Sequence, residues 1–456
     1  MTRFMITKIF NNNNNNNNHR FKINLIIIKS ILNYRKFSSS SINHNHHYKK
    51  QKLFYWGSVG SPMNTPKTPF ETTTSPRLLN FSDLVKTKSG GGGGGGEQQL
   101  GGREDIEVTY IASGWAHSLI AFKSKETAKV FSLGLNSSGQ LGHCTINDNY
   151  FNHGQIEEGL PPNFKVHSLS CGRLHSFILL SKENNNEKRD LYGFGNTMYG
   201  QLGIGKQASV NDENPKYLYF PTPQLVDGLK ENVTQVACGL DHTILLTENN
   251  NLYSMGWGSD GQLGLGKGNT SDRSIPSLIP KFHNSSVRKI ASTVDFTLAL
   301  LDNDELWAWG NSEYGQCMTG EKVDKILEPI KVPIEHKIID IATGGTFSAY
   351  VTDSGDAYIC GYGALGLGDN VIEKLKPTRI PTLNNVKKIY CGMDYTAAIS
   401  ASGELFTWGC GNSSGRLGLK HTGNQFVPMK VTFPHEVFVE EVACGTNHVI
   451  ALCRMT

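Results

Sequence analysis

The sequence predicts an all-β fold, a seven-bladed β-propeller of four-stranded blades whose ring is closed by N- and C-terminal half-blades. Three observations predict it. A short strand ending in glycine recurs seven times, two further motifs accompany it in fixed order, and the series starts and stops in the middle of a repeat. A repeat of about 50 residues is typical of solenoids and propellers, in which each unit buries its apolar face against the next.

The recurring strand consists of apolar residues followed by glycine. Its copies are Leu53–Gly57, Val130–Gly134, Leu191–Gly195, Leu252–Gly256, Leu306–Gly310, Ala357–Gly361 and Leu405–Gly409. A second motif rich in Asn, Ser and Gly follows the terminal glycine, as in Asn136–Gly142. These residue types favour turns, so each strand is predicted to end at a tight connection.

A Cys-Gly-x-x-His motif, such as Cys238–His242, precedes the recurring strand. In one degenerate copy Thr293 replaces the glycine, and Phe296, Phe347 and Tyr395 stand where other copies have histidine. The motif glycine, or Thr293, lies 17 residues before the next strand-end glycine in four consecutive copies. Two apolar runs around a polar turn fill that interval, which predicts a β-hairpin and hence about four short strands per repeat.

The two ends of the repeat series are incomplete in complementary ways. Leu53–Gly57 has no Cys-Gly-x-x-His motif before it, and Cys444–His448 has no strand-end motif after it. Two half-blades from opposite termini would therefore complete a seventh blade beside six full copies. Such closure pairs the edge strands that an open array would leave exposed.

These motifs resemble the regulator of chromosome condensation repeat, whose family members are seven-bladed propellers, over roughly residues 53–454. The best-known member activates a small nuclear GTPase by nucleotide exchange. Organelle members are implicated in exchange on a mitochondrial dynamin-like GTPase and in mitochondrial ribosome assembly. The resemblance implies a mitochondrial interaction propeller that acts as an exchange factor or as an assembly factor for the organelle ribosome or another complex. The alternatives are a nuclear or cytosolic exchange factor with a basic N-terminal arm, and a non-catalytic scaffold.

The resemblance also implies partner-binding residues, because the family carries functional acids in the loops of the Cys-Gly-x-x-His motif. That pattern puts forward Asp241, with Asp295 and Asp394 at the same position of other repeats and Arg173 in the loop one repeat earlier. The best-known member also uses a Gly-Asp-Ser-His loop, which this chain lacks. The competing interpretation of Asp241 is an exposed loop carboxylate without a function.

A second contact region is predicted in the longest span between a strand-end glycine and the next Cys-Gly motif, 44 residues from 195 to 239. Long loops on a rigid scaffold are frequent contact sites, although simple drift in loop length is the alternative. The candidate residues there are Lys206, Asp212, Glu213, Lys216 and Tyr217.

No constellation of residues in the sequence indicates bond-making chemistry. The chain shows no phosphate-binding Gly-Lys-Ser/Thr loop, no zinc-ligand spacing and no Ser-His-Asp arrangement. The repeated histidines occupy one repeat position in separate blades, which predicts structural hydrogen bonds rather than a metal site. We therefore expect no catalytic residue, no cofactor and no metal, with any nucleotide exchange arising from binding alone.

The N-terminus differs in charge from the rest of the chain. Residues 1–52 carry ten of the 44 Lys and Arg residues and no acid, which leaves 34 basic and 40 acidic residues in the remainder. A basic, acid-free, serine-bearing terminus is typical of a mitochondrial transit peptide. The predicted domains are a transit peptide at 1–37, a basic linker at 38–52 and the propeller at 53–454, with a low-complexity insertion near 82–103.

Composition and charge also predict location and partners. The terminus predicts a mitochondrial protein of the matrix, with the nucleus or cytoplasm as the alternative. A remainder with net charge −6 disfavours direct nucleic-acid binding by the propeller. No apolar run is long enough to span a membrane. We expect a monomer that binds a protein partner, either a GTPase or a component of mitochondrial ribosome assembly.

Overall fold

The computed structural model describes residues 51–58, 72–79, 106–124, 127–207, 218–282 and 285–456. Within these residues the strands form seven four-stranded antiparallel sheets, and the one short 3-10 turn is Pro280–Phe282. The all-β, seven-bladed propeller predicted from the repeats is confirmed. The predicted transit peptide and the insertion near 82–103 lie outside the described residues.

The strands follow the repeat in order, and the ring begins in the middle of a blade. Strands β1 (Gln51–Gly57) and β2 (Thr73–Leu79) are the outer half of blade 7. Blade 1 comprises β3 (Ile106–Ser113), β4 (His117–Ser124), β5 (Thr127–Asn136) and β6 (Asn147–Gln155). Blade 2 comprises β7 (Phe164–Cys171), β8 (His175–Lys182), β9 (Asn185–Asn196) and β10 (Tyr219–Leu225). Blade 3 comprises β11 (Val233–Cys238), β12 (His242–Thr247), β13 (Leu252–Gly256) and β14 (Arg273–Leu278).

The remaining blades repeat this arrangement. Blade 4 comprises β15 (Val287–Thr293), β16 (Phe296–Leu301), β17 (Leu306–Ser312) and β18 (Val323–Lys331). Blade 5 comprises β19 (Ile338–Thr343), β20 (Phe347–Thr352), β21 (Ala357–Tyr362) and β22 (Glu373–Arg379). Blade 6 comprises β23 (Val386–Cys391), β24 (Tyr395–Ser400), β25 (Leu405–Gly409) and β26 (Gln425–Lys430). Strands β27 (Val437–Cys444) and β28 (His448–Met455) are the inner half of blade 7.

Blade 7 closes the ring, as the complementary half-motifs predict. Strand β1 pairs with β28 along its whole length, from Gln51 opposite Arg454 to Gly57 opposite His448. The strand begins two residues before the predicted propeller start, because Gln51 and Lys52 also have partners on β28. The last two residues of the predicted linker therefore belong to the propeller.

The recurring strand-end glycine has a steric cause, which Gly256 illustrates. Its φ is +102°, and a Cβ atom there would lie 2.4 Å from the carbonyl oxygen of Asp241. Only glycine both adopts this backbone conformation readily and admits so close a contact. The contact also fixes the end of the third strand of each blade against the turn between its first two strands.

Aromatic and sulfur-containing side chains fill the spaces between blades. Trp56, Trp309 and Trp408, which share the strand-end motif, are fully buried. The nine cysteines are free thiols, seven of them are buried, and burial raises the pKa of Cys238 to about 12. Among the described residues, no helix has the length and apolar character to cross a membrane.

Candidate partner-binding face

One end of the propeller carries all seven Cys-Gly-x-x-His turns, and we call it the turn face. The loop after each strand-end glycine leaves from the same end, because His242 pairs with Gly256 and Trp257 N donates to Asp241 O at 2.8 Å. The turn face therefore presents Arg173 on blade 2, Asp241 on blade 3, Asp295 on blade 4 and Asp394 on blade 6. The opposite end, with the hairpin turns between second and third strands, is called the hairpin face.

Neighbouring turns are joined by backbone hydrogen bonds around the axis. Arg173 N donates to Leu240 O at 3.3 Å, and Leu240 N donates to Val294 O at 2.9 Å. Leu240 and Val294 are 8% and 6% exposed, so packed side chains surround the axis here. The turns of blades 2, 3 and 4 thus form one continuous structure.

Arg173 and Asp241, put forward separately by the sequence, form an ion pair between blades 2 and 3. Asp241 is only 4% exposed, so the interpretation of an exposed loop carboxylate is wrong. Burial tends to lower the pKa of the Arg173 guanidinium, but the charges of Asp241 and Asp295 outweigh it and raise that pKa. The arginine therefore stays charged, and the pair presents a fixed arrangement of charge.

An aromatic pair lies beside this ion pair. The rings of Tyr199 and Trp257 have centroids 4.6 Å apart and planes inclined by 42°. Burial, aided by the charge of Asp241, raises the pKa of Tyr199 to about 12, so its hydroxyl keeps its proton at neutral pH. Asp295, half-buried, is more exposed than Asp241. We call these five residues the blade 2–4 patch.

Asp394 lies apart from that patch, on blade 6, and has a partner that the sequence analysis missed. Arg416 is fully buried and its Nη2 lies 3.7 Å from Asp394 Oδ2. The same guanidinium donates to Cys410 O at 2.7 Å and to Thr446 O at 2.9 Å, which ties blade 6 to blade 7. The repeat motif could have singled out Arg416, because this residue stands where four other repeats have glutamine.

The repeated histidines connect blades, in agreement with the structural role predicted for them. Nε2 of His117 lies 2.8 Å from Ser176 Oγ, and that hydroxyl donates its hydrogen to Gln140 O at 2.9 Å. The imidazole must therefore be the donor. His175 and His448 have equivalent bonds to Thr243 and Ser118, and His242 bonds to Ser292 on the first strand of blade 4. Within the described residues, no group of three or more His, Cys, Asp or Glu side chains could hold a metal ion.

The second predicted contact region is described only at its edge. Lys206 is exposed on the loop after β9, and its carbonyl oxygen accepts a hydrogen bond of 3.1 Å from Thr197 Oγ1. The other candidates, Asp212, Glu213, Lys216 and Tyr217, lie outside the described residues. The loop leaves from the turn face, so Lys206 shares that face with the blade 2–4 patch.

A closed seven-bladed ring with Cys-Gly-x-x-His turns on one face defines a class of repeat propeller. The chain belongs to the regulator of chromosome condensation (RCC1) repeat family, whose model matches residues 190–246, 249–300, 303–351, 354–399 and 402–452. It is 33% identical over 372 residues to the mouse RCC1-like G exchanging factor-like protein, covering 77% of both chains.

Solved structures agree with this assignment. Human WBSCR16 superposes with a TM-score of 0.71 and 28% identity, over 89% of this chain and 99% of that one. Prp20p from Saccharomyces cerevisiae, studied for its binding to Gsp1p and histones, has a TM-score of 0.69. Its 21% identity, over 90% of this chain and 92% of that one, shows the shared fold alone.

Proposed function

We propose that this chain is a mitochondrial exchange-factor propeller that binds the nucleotide-free form of a GTPase through its turn face. The observation that carries the proposal is the convergence of Arg173, Asp241 and Asp295 in one patch across three blades. The name of the mouse relative, a G exchanging factor-like protein, supports the class of partner. The basic, acid-free N-terminus supports the organelle.

Exchange of this kind requires no bond chemistry from the propeller. A protein that binds the nucleotide-free GTPase more tightly than the loaded form must, by linkage, lower the affinity of the GTPase for its nucleotide. The blade 2–4 patch suits that task because its charges are already fixed by the turns and by each other. A preorganised surface loses little conformational freedom when it binds.

The hairpin face is a weaker candidate, because many of its acids are paired within their own blade. Glu305 binds Lys331, Asp356 binds Arg379 and Glu404 binds Lys430, in each case joining the hairpin turn before the third strand to the fourth strand of the same blade. These pairs are solvent-accessible and repeat from blade to blade. Exposed pairs of this kind contribute little energy, and their repetition is typical of a structural feature.

Release of a fluorescent guanine nucleotide tests the proposed activity. The substrates are the mitochondrial dynamin-like GTPase and the small nuclear GTPase of the source organism, each preloaded and mixed with the full chain. We expect faster release from the mitochondrial GTPase. Asp295→Asn should reduce that acceleration by about tenfold or more, because truncating one charge of a desolvated contact costs about 2 kcal/mol or more.

The matched control is Glu404→Gln on the hairpin face, which removes a carboxylate from an exposed pair. It should leave nucleotide release unchanged. Equal effects of the two substitutions, or no acceleration by the unmodified chain, would contradict the proposal. Acceleration of the nuclear GTPase alone would instead support the nuclear alternative.

Location is tested separately. A fusion of residues 1–60 to a fluorescent protein should accumulate in mitochondria, and intact-mass analysis should show that the mature protein has lost its basic terminus. A cytosolic fusion, or a mature protein that retains the terminus, would contradict the organelle assignment without touching the exchange proposal.

A further inference from the structure

The turn of blade 4 differs from the turns of the six other blades, all of which the structure describes. In those six, the glycine N–H donates to the carbonyl of the residue at the histidine position, as Gly239 N does to His242 O at 2.8 Å. The paired strands end one residue earlier, at Cys238 and Thr243. In blade 4 the pairing continues to Thr293 and Phe296, so only Val294 and Asp295 remain in the turn.

The substitution of glycine by Thr293 explains this difference. A Cβ atom at Gly239 would lie 2.0 Å from the ring of His242, and one at Gly344 would lie 2.6 Å from the ring of Phe347. A residue with a side chain therefore cannot occupy this position in the common turn. Thr293 instead directs its hydroxyl to blade 5, where Oγ1 donates to Thr343 O at 2.9 Å.

The rebuilt turn forces a β-branched residue into the left-handed region. Val294 has a φ of +49°, and among the described residues it is the one valine, isoleucine or threonine with a positive φ. Such a conformation is a genuine outlier for a β-branched side chain and persists only where the surroundings impose it. Here the surroundings are tight, because Val294 is 6% exposed and its carbonyl accepts the bond from Leu240 N.

The strained turn sets the position of Asp295. The Asp295 carbonyl accepts a hydrogen bond of 2.8 Å from Asn311 N, and its carboxylate lies close enough to Arg173 to help hold that guanidinium in its charged form. Asp295 is thus fixed by the strained backbone of Val294 before it and by the hydrogen bond from Asn311 at the end of the third strand. Strained backbone of this kind clusters at binding sites, where stability is lost in exchange for geometry.

We propose that Val294 is a positioning residue whose strained backbone holds Asp295 beside the Arg173–Asp241 pair for contact with the partner. This inference rests on the proposed function, since it assigns Asp295 to the same partner-binding face. It predicts that relieving the strain at Val294 reduces nucleotide release without a matching loss of stability. A merely structural turn would show no such separation.

The first test is thermal unfolding of the full chain with Val294→Gly. Glycine adopts a positive φ without strain, and this relief offsets part of the burial lost with the valine side chain, so the unfolding midpoint should fall only slightly. Leu240→Gly, in the unstrained turn of blade 3, is the matched control and should lower the midpoint. A Val294→Gly midpoint as low as that of Leu240→Gly would overturn the claim of strain, whatever the partner.

The second test is nucleotide release from the mitochondrial dynamin-like GTPase. Val294→Gly should reduce the acceleration by about fivefold or more, because the turn that orients Asp295 becomes free to move. Val294→Asn should restore most of it, because asparagine tolerates the left-handed region and retains a side chain. Equal acceleration by Val294→Gly and the unmodified chain would overturn the positioning role. No acceleration by the unmodified chain would overturn the proposed function and, with it, the role given to Val294.

Discussion

The seams between blades fall into two groups that occupy different halves of the ring. Blades 7, 1, 2 and 3 place a histidine at the end of the Cys-Gly-x-x-His turn, and each imidazole is hydrogen-bonded to a hydroxyl on the next blade. Blades 4, 5 and 6 place Phe296, Phe347 and Tyr395 at the same position. Tyr395 is the one of these that still bonds across the seam, from its hydroxyl to Gly445 O at 2.8 Å.

The difference teaches that the position requires a flat ring, packed over glycine in every blade except blade 4, and that the next blade decides whether a histidine there gains a hydrogen bond. Three of the four histidines bond to a hydroxyl that directly follows the ring position of the next blade, and His242 bonds to Ser292 instead. Ser348 and Thr396 supply such a hydroxyl opposite Phe296 and Phe347, whereas Val449 stands there opposite Tyr395. The Asp241 turn ends the histidine half and the Asp295 turn begins the aromatic half. The blade 2–4 patch therefore lies where the two halves meet.

Removal of the closing strand β1 should have the largest effect on stability, because it opens the ring in the half that carries the histidines. Deleting Gln51–Gly57 removes Leu53, Phe54, Tyr55 and Trp56, which are at most 6% exposed. At roughly 1.5–3 kcal/mol each, their burial contributes on the order of 10 kcal/mol. That is comparable with the whole stability of a typical domain, so we expect loss of cooperative unfolding in a calorimetric scan.

The matched deletion removes residues 3–35 and leaves β1 intact. It should change where the protein accumulates and leave the unfolding midpoint unchanged. If the two deletions unfold alike, the closure of the ring by β1 is not what holds the histidine half together.

Acid should destabilise the histidine half selectively. Burial lowers the pKa of His117, His175 and His242 to about 3 and that of His448 to about 4. These values lie below the ordinary value of about 6.5, so the unfolded chain binds more protons at mildly acidic pH. The stability that the histidines contribute is therefore complete above about pH 7. It is lost progressively as the pH falls from about 6.5 toward the pKa values of the folded state.

The expected loss between pH 7 and 5.5 is about 1 kcal/mol for each histidine, or about 4 kcal/mol in total. Urea unfolding at several pH values measures it. His242→Phe, which copies the residue found in blade 4, should remove about a quarter of the pH dependence. An unchanged slope in that variant would show that the imidazoles are not the groups responsible.

A smaller effect is expected when an aromatic seam is converted into a histidine seam. Thr396 Oγ1 faces Phe347 and is buried without a hydrogen bond from any described residue, although the weakly donating thiol of Cys391 lies near it. Phe347→His would supply that bond, which offsets the smaller apolar burial. We expect stability within about 1 kcal/mol of the original at pH 7.5 and an added pH dependence of about 1 kcal/mol.

The matched substitution is Tyr395→His, where the next blade offers Val449 instead of a hydroxyl. It should lower stability at every pH, because the tyrosine hydroxyl bonds to Gly445 O and His448 O are lost. Equal behaviour of the two variants in urea unfolding would contradict the claim that the next blade decides whether a histidine at this position gains a hydrogen bond.

The fold could be predicted from the sequence because every repeat has to satisfy the same physical constraints, which leave the same residues at the same positions. The strand-end glycines are required by close backbone contacts within each blade, and the unmatched half-motifs at the two ends indicate how the ring closes. The structural role of the histidines followed from their position in separate blades. These inferences need only local patterns and their period.

The site was harder to predict, because it depends on distances between blades. Arg173 and Asp241 are 68 residues apart, and nothing in either motif shows that they form an ion pair. The burial of Asp241 also depends on the packing of neighbouring blades, whereas the contact of Asp394 with Arg416 joins two loops of blade 6. Thr293 was visible as a departure from the motif, but the strain that it imposes on Val294 depends on the position of a neighbouring ring.

Hydrogen–deuterium exchange of the full chain, alone and with nucleotide-free mitochondrial dynamin-like GTPase, tests the central claim most directly. We predict slower exchange in the turns at 172–174, 239–241 and 294–295, where the two halves of the ring meet. The hairpin turns at 248–251, 302–305 and 353–356 should exchange as they do in the free chain. Protection confined to those hairpin turns, with no change at the blade 2–4 patch, would contradict the account.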